Sequence, residues 1–465
     1  MTNDELCFLP ATELRALYQL RRLSPVEVAE AVLARIERLN PTLRAYVTVT
    51  PELALEQAQA AERAYAAGAA GLLAGIPLSL KDLTVTKGIR TTRGSLLTAD
   101  WVPDDDAPVT ERVYAAGGVL LGKTNTPESG WKGESTNRVV GSSENPWQIG
   151  RTPGGSSGGA GAAVAAGLGQ LAQGTDGAGS IRIPASFCGI FGLKPSYGLI
   201  PYWPGSAVQS LAHVGPMTRT VRDAALLLDA LAGPDPRDRG SIPPAGNYLA
   251  ACDGGVAGLR LGWAPDLGFG RAEPAVEAVV EAAARVFEEL GASVEPVAPG
   301  WSDPFAIVDT LWSSGMAASR PDFEQVRALL DPGLVKVIEH GQEIHGVDVA
   351  RAEVLRGQFY EDVRRFSAPF DLLLTPTVPV TAFPTGQDAP GTINGQPRSY
   401  LGWTYFTYPF NLTGQPAATV PAGFVAGLPV GLQLVGRFRD DATVLRAAAA
   451  YEAARPWAVE RPPAR

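Results

Sequence analysis

The sequence predicts an α/β protein, a sandwich of helices around a mostly parallel β-sheet, on three observations. Apolar runs of strand length, Ile76–Leu80 and Gly118–Leu121, are separated by a helical stretch at 110–116. A second strand–helix–strand unit follows at Leu259–Trp263, 273–290 and Val294–Val297. The 465 residues are 45% hydrophobic and 19% charged, the balance of an ordinary globular chain.

Each element has a local reason. Ser24-Pro25-Val26-Glu27 supplies an N-cap, a proline at the first helical position and a glutamate three residues after the cap. Val28, Val32, Ile36 and Leu39 then recur at helical spacing, and Asn40-Pro41 is expected to end the helix. Residues 52–67 continue in Ala/Glu-rich helical style. The block 141–200 is dense in glycine and serine, yet it embeds an apolar helix-like run, Ala160–Leu168, and a buried stretch, Cys188–Leu193. Its glycines are therefore read as serving tight turns and close backbone approach rather than a flexible linker. Thr220-Val221-Arg222-Asp223 caps a helix through Leu231, and the Pro/Gly/Asp-rich loop Gly233–Tyr248 is the best candidate boundary. Beyond the second unit, 300–370 is helical, Asp371–Thr375 is a strand, and 409–436 holds short strands before a closing helix at 440–454. There is no internal repeat.

Composition excludes several functions. With 39 basic against 48 acidic residues and no basic stripe, the chain is a poor binder of nucleic acid. Cys7, Cys188 and Cys252 are too scattered for a disulfide framework or a CxxC zinc site, so neither metal nor cofactor is expected. The first residues show no basic segment followed by an apolar run, and stretches such as 154–180 are too polar to span a bilayer. A cytoplasmic protein without membrane association is the expectation. Only six of the basic residues are lysines, and five of these lie between Lys81 and Lys194. Histidines number three.

Three pattern matches mislead. Gly117–Thr124 satisfies GxxxxGK[ST], but its would-be phosphate loop is Val-Leu-Leu, itself a strand. Gly154–Gly158 satisfies GxSxG, but a polar Pro/Gly-punctuated loop precedes it where a nucleophile elbow needs a strand. That reading also needs His213, His340 or His345 as base, and none has an evident partner. Ser129–Lys132 satisfies SxxK without the companion SDN and KTG patterns.

What remains suits serine chemistry without histidine. A serine hydroxyl needs an adjacent base, and a lysine serves only where burial or neighbours keep it neutral near pH 7. Lys81 sits directly after an apolar strand, an odd place for a solvated lysine. Ser156, Ser157 and Ser180 lie in glycine-dense turns, and Gly177-Ala178-Gly179-Ser180 suits an oxyanion hole of backbone donors. A turn serine or a snorkelling lysine explains each piece alone; their joint occurrence is harder to dismiss.

The block GGSSGG…GTDGAGSIRIPASFCGIFGLKPSYG, with GIPLSLKD and GKTNTPE before it and NLTGQPA and LPVGLQLVG after it, closely resembles the amidase signature family. The likeness runs from roughly residue 5 to 455 and is weakest at 235–370. It implies a central mixed, mostly parallel sheet flanked by helices on both faces. It also implies one large domain over 1–465, with 235–370 a variable subregion that shapes the substrate site. Carried over by position, Lys81 is the base, Ser156 a bridging cis-serine and Ser180 the nucleophile. Backbone N–H groups of Gly177, Ala178, Gly179 and Ser180 form the oxyanion hole, and Ser157, Asp176 and Arg182 support the loop. The family commonly has DTGGS where this chain has Asp176-Gly177-Ala178-Gly179-Ser180, a departure expected to tune rate rather than abolish activity.

The implied reaction is hydrolysis of an amide C–N bond through an acyl-enzyme. Tyr400, Trp403, Tyr405, Phe406, Tyr408 and Phe410 crowd one short segment, and Tyr202, Trp203 and Trp312 add to the aromatic count. That density favours an apolar or aryl-bearing substrate, with Tyr202, Trp203, Trp312, Tyr400 and Trp403 as candidate pocket residues. The competing reading makes most of them core aromatics. NTPESGWKGES looks like the branch with nylon-oligomer hydrolases, aryl acylamidases and urethanases, which extends the expectation to carbamates. The partner is then a small-molecule amide or carbamate, and the chain a monomer or homodimer. Two rivals stand beside this. A glutamyl-tRNA amidotransferase A subunit usually has Gln where this chain has Ile183, and an inactive binding protein would not need Lys81, Ser156 and Ser180 intact.

Overall fold

The computed structural model describes residues 1–463. Eleven strands form one mixed sheet: β1 (Tyr46–Val49), β2 (Pro77–Lys81), β3 (Val119–Thr124), β4 (Leu171–Asp176), β5 (Phe191–Lys194), β6 (His213–Thr218), β7 (Arg260–Trp263), β8 (Ser293–Pro296), β9 (Leu372–Pro376), β10 (Ala417–Val425) and β11 (Leu428–Gly436). Their order across the sheet is β1-β3-β2-β4-β6-β5-β10-β11-β9-β7-β8. One flank pairs β3, β2 and β4 in parallel, and the other pairs β9, β7 and β8 in parallel. Antiparallel ladders through β6, β5, β10 and β11 join the two sets. Helices pack around the sheet, as the α/β reading anticipates. Among the described residues no helix is long and apolar enough to cross a membrane.

The first long helix, Pro25–Leu43, opens on the expected capping box of Ser24 and Glu27. It does not end at Asn40-Pro41 but runs one turn further, to a left-handed Arg44. Pro41 removes only one backbone donor there, while the extra turn buries Leu43 and lets the Arg44 N–H close on the Asn40 carbonyl. The second unit forms as expected, with helix Pro274–Glu289 between parallel β7 and β8. Because β7 pairs with β9, the sheet continues past the loop 233–248 that offered a boundary.

The Gly/Ser-rich block folds into the sheet's centre. Helix Gly158–Ala165 is buried at every position, and its small residues let the sheet and the helix Arg182–Cys188 approach it closely. A methyl added to Gly159 would lie 2.4 Å from the Asn125 nitrogen and 2.5 Å from the Ala45 oxygen. The stretch read only as buried from Cys188 onward begins earlier, with helix Arg182–Cys188.

Candidate active site

Lys81 is the last residue of β2, and parallel pairing with β3 and β4 buries it completely. Its Nζ donates to Ser156 Oγ at 2.7 Å, Ser157 Oγ at 2.9 Å and Thr175 Oγ1 at 2.9 Å. Burial pushes the amine well below the usual lysine range, against the opposing charge of Asp176. A neutral amine has two hydrogens and one lone pair, so one of the three hydroxyls must donate to it.

The neighbours of these hydroxyls exclude one of them. Ser157 Oγ also donates to the Thr175 carbonyl at 3.1 Å and accepts the Thr175 N–H at 3.2 Å, so its proton is committed. Ser156, which follows the cis peptide Gly155–Ser156, has Lys81 as its hydrogen-bond partner among the described residues. Its hydroxyl, like that of Thr175, therefore has no second partner that holds its proton. The turn Ser129–Gly130 abuts it: a methyl on Gly130 would come 3.2 Å from Ser156 Oγ.

Ser180 joins the group through its backbone, its carbonyl accepting the Ser157 N–H at 3.1 Å, while its hydroxyl has no hydrogen bond among the described residues. The loop before it is held by Asp176 and Arg182, both fully buried. Asp176 Oδ1 accepts from the Gly179 N–H at 2.7 Å and from Arg182 Nη2 and Asn411 Nδ2 at 2.9 Å each. Its Oδ2 accepts from Arg182 Nε at 3.0 Å and the Ile181 N–H at 3.2 Å. Arg182 Nη1 donates to the Thr407 carbonyl and Gln433, and Nη2 also to Asn411, so no guanidinium donor is left over. Burial would raise the Asp176 carboxyl, but Arg182's charge and hydrogen bonds outweigh it and hold the group well below the carboxylate range.

Of the four backbone donors expected to form an oxyanion hole, Gly179 is not free. The Gly179 N–H is spent on Asp176, which leaves those of Gly177, Ala178 and Ser180 without a protein acceptor among the described residues. Gly179 shapes the loop instead. It sits at φ +129°, where a methyl would lie 2.4 Å from Thr407 Oγ1, and Thr407 donates to the Ala178 carbonyl at 2.6 Å.

The misleading motifs resolve as structural residues. Lys123 lies inside β3 and donates to Thr86 and Thr91, not to a phosphate loop. Lys132 pairs with Asp388 at 2.6 Å and Glu134 at 3.4 Å. Burial strips His213 of its proton affinity, and its Nδ1 meets the Leu211 carbonyl at 2.8 Å. His340 pairs with Asp309, and His345 caps a helix.

Of the five candidate pocket residues, only Tyr202 and Trp203 line the cavity of about 240 Å³ that reaches Thr175 and Ser129. Trp312 lies against the loop 176–180, 2.8 Å from where a methyl on Gly177 would be. Trp403 is core. It is fully buried, stacked on Phe187 of the helix Arg182–Cys188 and edge-on to Phe383. Tyr400 packs on Trp131, and Tyr405, Phe406, Tyr408 and Phe410 are buried. Sequence reading missed Thr175 and Asn411, although both fall in the motifs GTDG and NLTGQPA.

The chain is similar to known proteins along almost its whole length. A model of the Amidase family matches residues 27–445. An acylamidase of Rhodococcus erythropolis is 44% identical over 99% of this chain and 98% of its own. The A subunit of a glutamyl-tRNA(Gln) amidotransferase from Chloroflexus aggregans is 38% identical over 98% of this chain and 99% of its own. The crystal structure of a bacterial aryl acylamidase is 33% identical and superimposes with a TM-score of 0.91 over 97% of both chains. A 6-aminohexanoate cyclic dimer hydrolase is 31% identical with a TM-score of 0.89, over 98% of this chain and 99% of that one. The buried lysine, the serine pair and the Gly/Ser block thus stand in a chain that belongs to the Amidase family, the amidase signature hydrolases.

Proposed function

We propose that Ser180 attacks the carbonyl of a small amide, anilide or carbamate, with Ser156 as relay and Lys81 as base. The observation that carries this is the Lys81 amine, fully buried among three hydroxyls and pushed toward its neutral form. Neutral Lys81 takes a proton from Ser156 as Ser156 takes one from Ser180, whose oxygen bonds to the carbonyl carbon. The N–H groups of Gly177, Ala178 and Ser180 receive the oxyanion. Ser156 returns the proton to the leaving nitrogen, the C–N bond breaks, and water enters by the reverse route to release the acid. Ser157, Asp176 and Arg182 position these groups without touching substrate. Tyr202 and Trp203 wall the substrate cavity, in keeping with an apolar or aryl-bearing substrate such as the acylamidase relatives' names suggest.

The setting we infer is a cytoplasmic monomer or homodimer that acts on a small molecule, with 235–370 a substrate-shaping part of a single domain. Helix Phe305–Ala318 within that part carries Trp312 to the loop and Met316 to the cavity. The amidotransferase reading has a specific support, the 38% identity to the Chloroflexus chain, but the 44% identity to an acylamidase favours a free-standing hydrolase. A panel of aliphatic amides, anilides, esters and carbamates tests the reading. Ser180-dependent release of amine from at least one supports it, and inactivity on all, with co-purification of partner subunits, overturns it.

A further inference from the structure

The cavity that Thr175 and Ser129 line is one-sided in charge. Two arginines, Arg93 and Arg320, line it, and no aspartate or glutamate does. Neither guanidinium has a carboxylate in contact among the described residues. Arg93 lies over the Trp101 ring at 4.6 Å. Arg320 Nε is buried without a partner, and its Nη groups reach only Ser129 Oγ and the Ser319 carbonyl, at 3.4 Å each. The carboxylates whose charge reaches them are bonded elsewhere: Asp82 to Thr92, and Glu128 to Ser95 and the Asp331 N–H. Burial weakens Arg93's hold on its proton, and the charge of Arg320 weakens it further. Two half-buried cations that oppose each other are costly unless an anion arrives between them.

We propose that this cavity receives the anionic end of the substrate: an amide with an apolar or aryl body and a carboxylate held by Arg93 and Arg320. Planar guanidinium forks match a carboxylate better than a spherical ion. The same wall offers Leu83, Leu97, Tyr202 and Met316 to the apolar body. Ser129, which Arg320 touches, adjoins the Gly130 that abuts Ser156, so charge recognition and bond cleavage share one turn. This deepens the amide-hydrolase reading and rests on it.

The test compares acids with their uncharged methyl esters. One pair, N-(4-nitrophenyl)succinamic acid and its ester, carries the charge on the acyl side; the other, 4-acetamidobenzoic acid and its ester, carries it on the amine side. Wild-type enzyme is expected to prefer the acid in at least one pair by about tenfold or more in kcat/KM. The preference should fall toward one in Arg93→Gln and in Arg320→Gln, mainly through KM, with Arg320→Lys retaining part of it. Equal or better cleavage of the esters in both pairs, still abolished by Ser180→Ala, overturns this inference and leaves the hydrolase reading intact. If none of these anilides is cleaved, the hydrolase reading rests on the wider substrate panel, and calorimetric titration with the two acids decides the cavity alone. Binding lost in either glutamine variant supports the anion site, and no binding to wild type overturns it.

Discussion

Lys81 and Lys132 are both buried, and their surroundings pull their protons in opposite directions. The hydrogen-bond partners of Lys81 Nζ are hydroxyls only, and burial outweighs the charge of Asp176 and drives the amine toward neutrality. Around Lys132 three carboxylates, those of Asp388, Glu134 and Asp331, lie within 4 Å, and their charges outweigh burial and raise its proton affinity. Lys123 adds a third case: burial lowers it to about 8 even with Asp82 near. It bonds threonines rather than a serine block, so it has low proton affinity and nothing to deprotonate. Burial therefore does not make a lysine a base. A base needs burial, no ion pair, and a hydroxyl whose own proton is uncommitted.

The sharpest test of this contrast is Ser180→Ala. It should cut turnover of a p-nitroanilide by roughly a thousandfold or more while the circular dichroism spectrum stays unchanged. Wild-type rate in that variant would unseat the nucleophile and make the Lys81 pocket merely structural.

Next comes Lys81→Arg, for which a loss of about a thousandfold is expected, because a guanidinium keeps its proton. In wild type, kcat/KM should rise with pH through the depressed pKa of Lys81 and then level off. Stability has a matching sign. The folded state binds fewer protons than an unfolded chain whose lysine titrates near 10.5, so stability climbs with pH up to that value. Lys81→Met should flatten part of that climb in urea titrations at pH 7 and 9. A slope identical to wild type would mean that Lys81 stays charged in the fold.

Asp176→Asn comes third. It leaves Arg182 buried without its counter-charge and should cost about 3–5 kcal/mol in denaturant unfolding. It should also lower kcat, because the Gly179 N–H loses its charged acceptor.

The smallest effect belongs to Lys132→Met, about 1–3 kcal/mol, with turnover within a few-fold of wild type. Burial already raises the pKa of Glu134, so without Lys132 the cost should grow as pH rises from 5 to 8 and Glu134 must ionise alone. A thousandfold loss of turnover in this variant would erase the distinction between the two lysines.

Lys81, Ser156 and Ser180 could be singled out in the sequence because their motifs lie on short, glycine-marked segments whose texture survives in one dimension. The aromatics were not legible in the same way. A run such as Tyr400–Phe410 has the same local signature whether its rings face a cavity or fill a core, and Trp403 proved to lie between Phe187 and Phe383. Nor was it legible that Gly179, a donor by position, would give its N–H to Asp176.

What the chain determined by itself was the α/β class, the caps of helices 25–43 and 221–231, and the residue types a lysine-activated serine requires. These depend on periodicity, on local hydrogen bonding and on side-chain chemistry, all properties of near neighbours. Only the tertiary structure decided which hydroxyl around Lys81 has its proton committed elsewhere, which lysines are paired, and that Arg93 and Arg320 meet in one cavity. Each of these turns on burial and on contacts between distant segments, and both the dielectric around a charge and the partner beside it exist only once the sheet has closed over them.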